Sequence, residues 1–145
     1  MNDYQEDSFL PVQRILFALS KARNLLTGDM HVALAGTGVS GAHIGALLLL
    51  SLGIACTSVA LSKLLGVDAG FVTRMIDRLE TQGLVRRDRT NPDRRVVNLS
   101  LTDAGRNVAE RIAEIVPTVL NRRLSGFTPL EFAALCSLLA KLLEE

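Results

Sequence analysis

The chain has very few of the residues that disulfide, metal or redox chemistry needs. It contains no tryptophan, one tyrosine and two cysteines, Cys56 and Cys136, which lie far apart and form no CxxC pair. His31 and His43 have no cysteine, aspartate or glutamate between them. The sequence therefore predicts no disulfide framework, no metal and no cofactor. We expect both cysteines to lie in apolar surroundings and to pack as small hydrophobic residues.

Charged residues are missing between His31 and Lys63. A membrane-spanning helix needs about 20 consecutive predominantly apolar residues. Glycines and polar residues interrupt the first half of this stretch, and the denser part, from Ile44 to Cys56, has only thirteen residues. We interpret it as a buried core helix and expect no membrane partner. The first residues are polar and acidic rather than typical of a signal peptide, so we expect a cytoplasmic protein.

Aliphatic residues are plentiful, and their spacing is helical. Hydrophobic residues make up 48% of the chain, and the mean hydropathy is +0.29, which is high for a small soluble monomer. The spacing predicts a first helix from about residue 8 into the low thirties. Thr102 is expected to cap a long helix that Pro117 kinks or weakens. Thr128 begins a capping box, with Pro129 at the first position of the last helix.

Two short helices and a hairpin are predicted in the middle of the chain. Ser40 is expected to cap a helix that runs through Ser51. Thr57 and Asp68 are expected to cap the next two helices, which end at Gly66 and Gly83. The hydrophobic period then changes from helical to alternating over 84–88 and 96–101, with Val97, Leu99 and Leu101 on one strand face. The order predicts a mainly α fold with a small β-hairpin wing, a winged helix-turn-helix.

Arginine is concentrated in this middle region. Seven of the sixteen Lys and Arg residues lie between Arg74 and Arg95, although the net charge is only +1. The second helix of a helix-turn-helix fills a DNA major groove, and a basic wing reaches the backbone or the minor groove. A solvated charged surface is the alternative. The candidate DNA contacts are Asp68, Ala69, Gly70, Thr73, Arg74 and Arg78 on the helix and Arg89, Asp93, Arg94 and Arg95 in the wing.

Several motifs together resemble the MarR (multiple antibiotic resistance) family of winged-helix regulators. They are the segment 61–68 that leads into 73–79, then Gly83-Leu84-Val85, Asn91-Pro92-Asp93-Arg94-Arg95 and Leu101-Thr102-Asp103-Ala104-Gly105. In element order the resemblance covers nearly the whole chain. It implies a single domain over 1–145, with a winged part at 40–101 and dimerisation helices at 8–36 and 102–145.

The resemblance also implies how such a domain works. It predicts a homodimer on a pseudo-palindromic operator, acting as a repressor that a small aromatic or phenolic acid releases. Asp93 would pair with Arg95 to stiffen the wing, and Thr73 and Arg87 match positions that contact the effector. Apolar residues of the terminal helices would form the dimer interface, namely Phe9, Val12, Leu16, Leu130, Leu135, Leu138 and Leu142.

Two other classes of function are alternatives to a regulator. Winged helices also occur as protein-interaction modules without specific DNA binding, but the Arg pair at the wing tip and the small residues Ala69 and Gly70 argue against that class. An enzyme is not expected, since the sequence offers no nucleophile–base pair, phosphate-binding loop or cluster of ligands.

Overall fold

The computed structural model of the protein describes residues 9–39 and 41–144. Its six helices and two strands follow the predicted order: α1 Phe9–Ala33, α2 Ala42–Ser51, α3 Ser58–Leu65, α4 Ala69–Thr81, β1 Val85–Asp88, β2 Asn98–Leu101, α5 Asp103–Leu124 and α6 Pro129–Leu143. The fold class is confirmed as mainly helical with a two-stranded antiparallel wing. Pro117 lies inside α5, which continues to Leu124, so it does not end the helix.

Four of the predicted N-caps are confirmed. The side-chain oxygens of Thr57, Asp68, Thr102 and Thr128 each accept a hydrogen bond from the backbone N–H three residues later. Glu131 returns the bond to the Thr128 N–H at 2.8 Å and completes the capping box. The expectation that Ser40 caps α2 is wrong, because the structure places Gly41 at that position with no side-chain cap. Gly41 has φ 59°, a conformation that glycine adopts without strain; Ser40 itself lies outside the described residues.

The two strands are shorter than predicted because their outer residues serve the turns. Val85 pairs with Leu101 and Asp88 with Asn98 in the antiparallel ladder. Leu84 instead donates its N–H to Leu79 O and closes the end of α4, and Val96 donates to Asp93 O inside the wing. Leu99 and Leu101 share the buried face as predicted, whereas Val97 is half-buried and lies outside the ladder.

One core joins the end of α1, the three short helices, the hairpin and α5. The largest fully buried side chains are Leu34, Leu47, Leu61, Val72, Ile76, Leu79, Val85 and Ile112. Because all these elements meet in a single cluster, α4 and the hairpin are held against α5. The core therefore fixes the winged part to the long helix α5.

Most of α1 and all of α6 lie outside this core. No residue of α6 is buried, and Leu138 is 65% exposed, while Leu16 of α1 is 64% exposed. Among the described residues no single helix is long and apolar enough to cross a membrane; α5 and α6 reach that threshold only when counted together, and they are bent by 109° relative to each other.

Both cysteines differ from the expectation. Cys56 and Cys136 are exposed in the single chain, so the prediction that they pack in apolar surroundings is wrong. Cys136 lies on the uncovered helix α6, and Cys56 precedes α3 and presents its carbonyl oxygen to the N–H of Leu99. Apolar sequence neighbours did not bury these thiols, because α6 lies outside the core and Cys56 lies in the segment before α3.

Gly105, in the first turn of α5, packs closely against the chain just before the hairpin. A Cβ at this position would overlap the carbonyl oxygen of Leu84. We therefore expect Gly105→Ala to lower the free energy of unfolding by about 1–3 kcal/mol or more, because backbone has to move to make room. Urea denaturation followed by circular dichroism measures the change.

Gly28→Ala is the matched control, because Gly28 is also helical and has nothing within 4 Å of its missing Cβ. It should leave the free energy of unfolding unchanged or raise it by up to about 1 kcal/mol. Equal stability of Gly105→Ala and the parent would show that the α5–hairpin contact is not tight.

Candidate nucleic-acid interface

Helix α4 separates a buried face from an exposed one. Val72, Met75, Ile76 and Leu79 point into the core. The predicted contact residues Ala69, Gly70, Thr73, Arg74 and Arg78 are all exposed. The helix therefore presents one face, including its first two residues, to solvent, as a helix that enters a groove must.

Gly70, in the first turn of α4, leaves room for two neighbouring charged side chains. A Cβ on Gly70 would lie 3.2 Å from Oδ1 of Asp68 and 3.4 Å from Nη1 of Arg74, so the absence of a side chain lets both charged groups approach. The Asp68 carboxylate also accepts from the N–H of Phe71 at 2.8 Å, which makes it the helix cap. Thr73 donates its hydroxyl to Ala69 O at 3.0 Å.

The wing tip is ordered by short-range side-chain bonds. The Asp93 carboxylate accepts from the N–H of Arg95 at 3.0 Å, and the Asn91 side chain accepts from the N–H of Asp93 at 3.0 Å. The predicted pair of Asp93 and Arg95 is present, with Nε of Arg95 3.9 Å from Oδ1 of Asp93. Because the Arg95 side chain is 95% exposed, the loop is held in shape while its cation remains available.

Two clefts at the wing are lined by arginine. Arg89 and Arg94 line one of about 290 Å³ together with Val97. Arg95 lines a second of about 230 Å³ that also includes Thr57 and Ser58 at the start of α3. The wing therefore concentrates positive charge where it faces solvent, a feature that suits a phosphate backbone.

Arg87 is used differently from the other arginines. Its Nη2 lies 2.6 Å from Oδ1 of Asp77 and its Nη1 lies 2.9 Å from Oε1 of Glu80, and only 15% of its side chain is exposed. Partial burial works against the charged form, but the hydrogen bonds to the two carboxylates outweigh it and raise the pKa of Arg87. From the sequence, Arg87 was expected to contact an effector together with Thr73. Its pairing with Asp77 and Glu80 was not predicted, although these two acids lie one helical turn apart on α4.

Sequence reasoning missed two further features beside α4, a hydrogen bond of Gln82 and the position of His43 near Arg78. Gln82 donates from Nε2 to Gly38 O at 3.1 Å, across 44 residues of sequence. His43 of α2 is half-buried, and its burial and the nearby charge of Arg78 lower its pKa. Nothing in the local pattern marked either residue. Among the described residues no group of three His, Cys, Asp or Glu side chains could hold a metal ion.

Comparison with known proteins identifies the family to which this fold belongs. The family model described as MarR family matches residues 42–97. The multiple antibiotic resistance protein MarR of Escherichia coli (strain K12) is 30% identical over 138 residues, which cover 94% of each chain. This chain belongs to the MarR family. MarR-family proteins are DNA-binding transcription regulators, not enzymes.

Solved structures agree with the family assignment. A mutant MarR from E. coli complexed with operator DNA superposes on this MarR-family protein with a TM-score of 0.78 at 29% identity, covering 99% of this chain and 100% of the other. CouR from Rhodococcus jostii RHA1, bound to p-coumaroyl-CoA, gives a TM-score of 0.77 at 24% identity over 89% of this chain and 91% of the other. At this lower identity, the similarity to CouR shows a shared fold and nothing more.

The Asp93 carboxylate offers a test of the wing. Asp93→Ala removes the acceptor for the Arg95 N–H, whereas Asp93→Asn removes the charge and keeps an oxygen acceptor. We expect the alanine variant to bind duplex DNA about tenfold more weakly, because the loop must be ordered on binding. The asparagine variant should bind as well as the parent or better, since a negative charge near phosphate is lost.

Fluorescence anisotropy with labelled duplex DNA measures both affinities, with Arg95→Ala as the reference for a wing that lacks its cation. Equal binding by the alanine variant and the parent would show that wing order does not depend on Asp93.

Proposed function

We propose that this MarR-family protein is a homodimeric, sequence-specific repressor that inserts α4 into the major groove and the wing into the minor groove of its operator. The observation that carries the proposal is the wing tip, where Asp93 holds the loop while Arg95 remains 95% exposed. A cation on a preordered loop suits the concentrated negative potential of a minor groove. Arg89 and Arg94 supply further charge for the adjacent phosphates.

The exposed residues of α4 have separate roles in this proposal. Arg74 can bond a guanine through two N–H groups, and Ala69 and Gly70 let the helix approach the base edges closely. Thr73 bonds a base edge or a phosphate, and Arg78 contacts phosphate. Asp68 acts mainly as the cap that orders the first turn, since its carboxylate already accepts a backbone hydrogen bond.

The dimer interface is proposed on α1 and α6. Exposed apolar side chains on these helices include Val12, Leu16, Leu130, Leu138 and Leu142, and Leu135 is half-buried. The side chain of Phe9, the remaining predicted interface residue, lies outside the described part. Uncovered apolar surface of this kind is typical of an interface, and a second copy would cover it. Two winged parts related by a two-fold axis would read half-sites about one helical turn apart.

A small aromatic acid is proposed as the effector, with Thr73 and Arg87 as its contacts. A carboxylate that reaches Arg87 would have to compete with Asp77 and Glu80 for the same guanidinium. A cleft of about 420 Å³ between α1 and α5, which includes Arg122, offers a second place of suitable size.

The experiment that tests the function titrates the protein into labelled DNA from just upstream of its own gene and into random duplex, at several salt concentrations. A repressor should prefer the upstream DNA, and log affinity should fall with log salt by about 0.9 per phosphate neutralised. Salicylate, used as a probe acid, should release the complex. No salt-dependent binding to any duplex would refute the proposal, and the protein would instead act as an interaction module.

Arg74→Ala should reduce the difference in binding free energy between operator and random DNA by about 1–3 kcal/mol, because a contact to a base edge distinguishes one sequence from another. Arg111→Ala, which removes an exposed arginine from α5, is the control and should leave the difference unchanged. An equal loss of affinity for both duplexes would indicate that Arg74 contacts phosphate rather than a base.

Leu138→Glu should convert the dimer into a monomer, because a carboxylate would have to lose its water at an apolar interface. Light scattering after size exclusion should then report about the 15.7 kDa of one chain. Leu52→Glu, an equally exposed leucine at the end of α2, should stay dimeric. A Leu138→Glu variant that remains dimeric would remove α6 from the proposed interface.

A further inference from the structure

Arg87 connects the wing to the recognition helix. It shares the inward face of β1 with the buried Val85, so its guanidinium points towards α4. There it bonds Asp77 and Glu80, which lie one turn apart. Within the described residues these two bonds are the only side-chain hydrogen bonds that join β1 to α4.

The other bonds at this connection lie at the residues between α4 and β1. Leu84 donates to Leu79 O at 2.9 Å, and Thr102 donates its hydroxyl to Gly83 O at 2.5 Å. These bonds hold the residues immediately after α4. Further along β1, towards the wing tip, Arg87 is the next polar tie to the helix.

We infer that Arg87 is a positioning residue, whose ion pair with Asp77 and Glu80 sets the angle between the wing and the recognition helix so that both reach the operator together. The inference rests on the proposed function. A planar guanidinium that bonds two different carboxylates restricts both translation and rotation, which a single ammonium cannot do. The Arg87 side chain is only 15% exposed, so water reaches the guanidinium less freely than at an open surface pair, although the two carboxylates are 59% and 43% exposed.

Removal of Asp77 and Glu80 should change DNA affinity in opposite directions for the two possible roles of Arg87. Asp77 and Glu80 are acids on a helix that approaches a polyanion, so their removal by itself should strengthen DNA binding. Removal of the same acids should weaken operator binding if their task is to hold Arg87. A direct phosphate contact by Arg87 would give the opposite result, because the freed guanidinium would then bind DNA better.

The decisive variant is Asp77→Ala with Glu80→Ala, which keeps good helix formers on α4. We expect operator affinity to fall about three- to tenfold while affinity for random duplex stays equal or rises. Arg87→Lys should show a similar operator loss, since lysine keeps the charge but cannot bond both acids in fixed geometry. Glu110→Ala, which removes an exposed acid from α5, is the charge control and should not lower operator affinity.

Amide hydrogen exchange of the free protein supplies a measurement that needs no DNA. Amides of residues 85–101 should exchange faster in the double variant and in Arg87→Lys, while the urea midpoint stays close to that of the parent. Unchanged exchange, or operator affinity equal to or above the parent's, would overturn the positioning role. A parent without operator preference would refute the proposed function, a result distinct from either of these.

Discussion

The contact between the first turn of α5 and the end of α4 holds the two halves of this protein together. Thr102 caps α5 with the same hydroxyl that donates to Gly83 O, and its N–H bonds Leu84 O at 3.1 Å. Gly105 leaves room for the Leu84 carbonyl. Because the hairpin begins at this junction, these few bonds fix where β1 starts relative to both helices. The exposed face of α4 and the long helix α5 are therefore joined directly through this junction.

The arginines near this junction divide into two groups by their surroundings. Arg89, Arg94 and Arg95 extend from the wing into solvent, where their charge can be neutralised by phosphate. Arg87 is mostly covered and paired, so its charge is already neutralised inside the protein. A basic patch therefore contains both ligand-facing and internal cations, and only their partners distinguish them. The same residue type is exposed in one place and paired in the other.

The uncovered apolar surface of α1 and α6 fits the MarR family assignment. A single chain of this kind leaves large aliphatic side chains in water over two helices, at a cost in free energy that a second copy would relieve. Asp29 of α1 and Arg123 of α5 form a two-bond pair that ties the exposed helix to the core-bound one, and Arg123 lowers the pKa of Asp29. The pair therefore fastens the last part of α1 to α5.

Local interactions explain what the sequence determined by itself. The caps at Thr57, Asp68, Thr102 and Thr128, the turn at Gly66 and the pairing of Asp93 with Arg95 involve residues two to four apart, so each is encoded by its own neighbours. The alternation of the hairpin and the arginine-rich loop predicted the wing for the same reason, and the motifs predicted the family.

Only the tertiary structure decided which distant groups meet. It paired Arg87 with two acids of α4, joined Gln82 to Gly38, set Arg78 beside His43 and left both cysteines exposed. It also started α2 after Gly41 rather than Ser40, because a positive φ was needed where the chain turns. These outcomes depend on how whole helices pack, and hydrophobic spacing specifies which face of a helix is buried but not which polar partner lies opposite it.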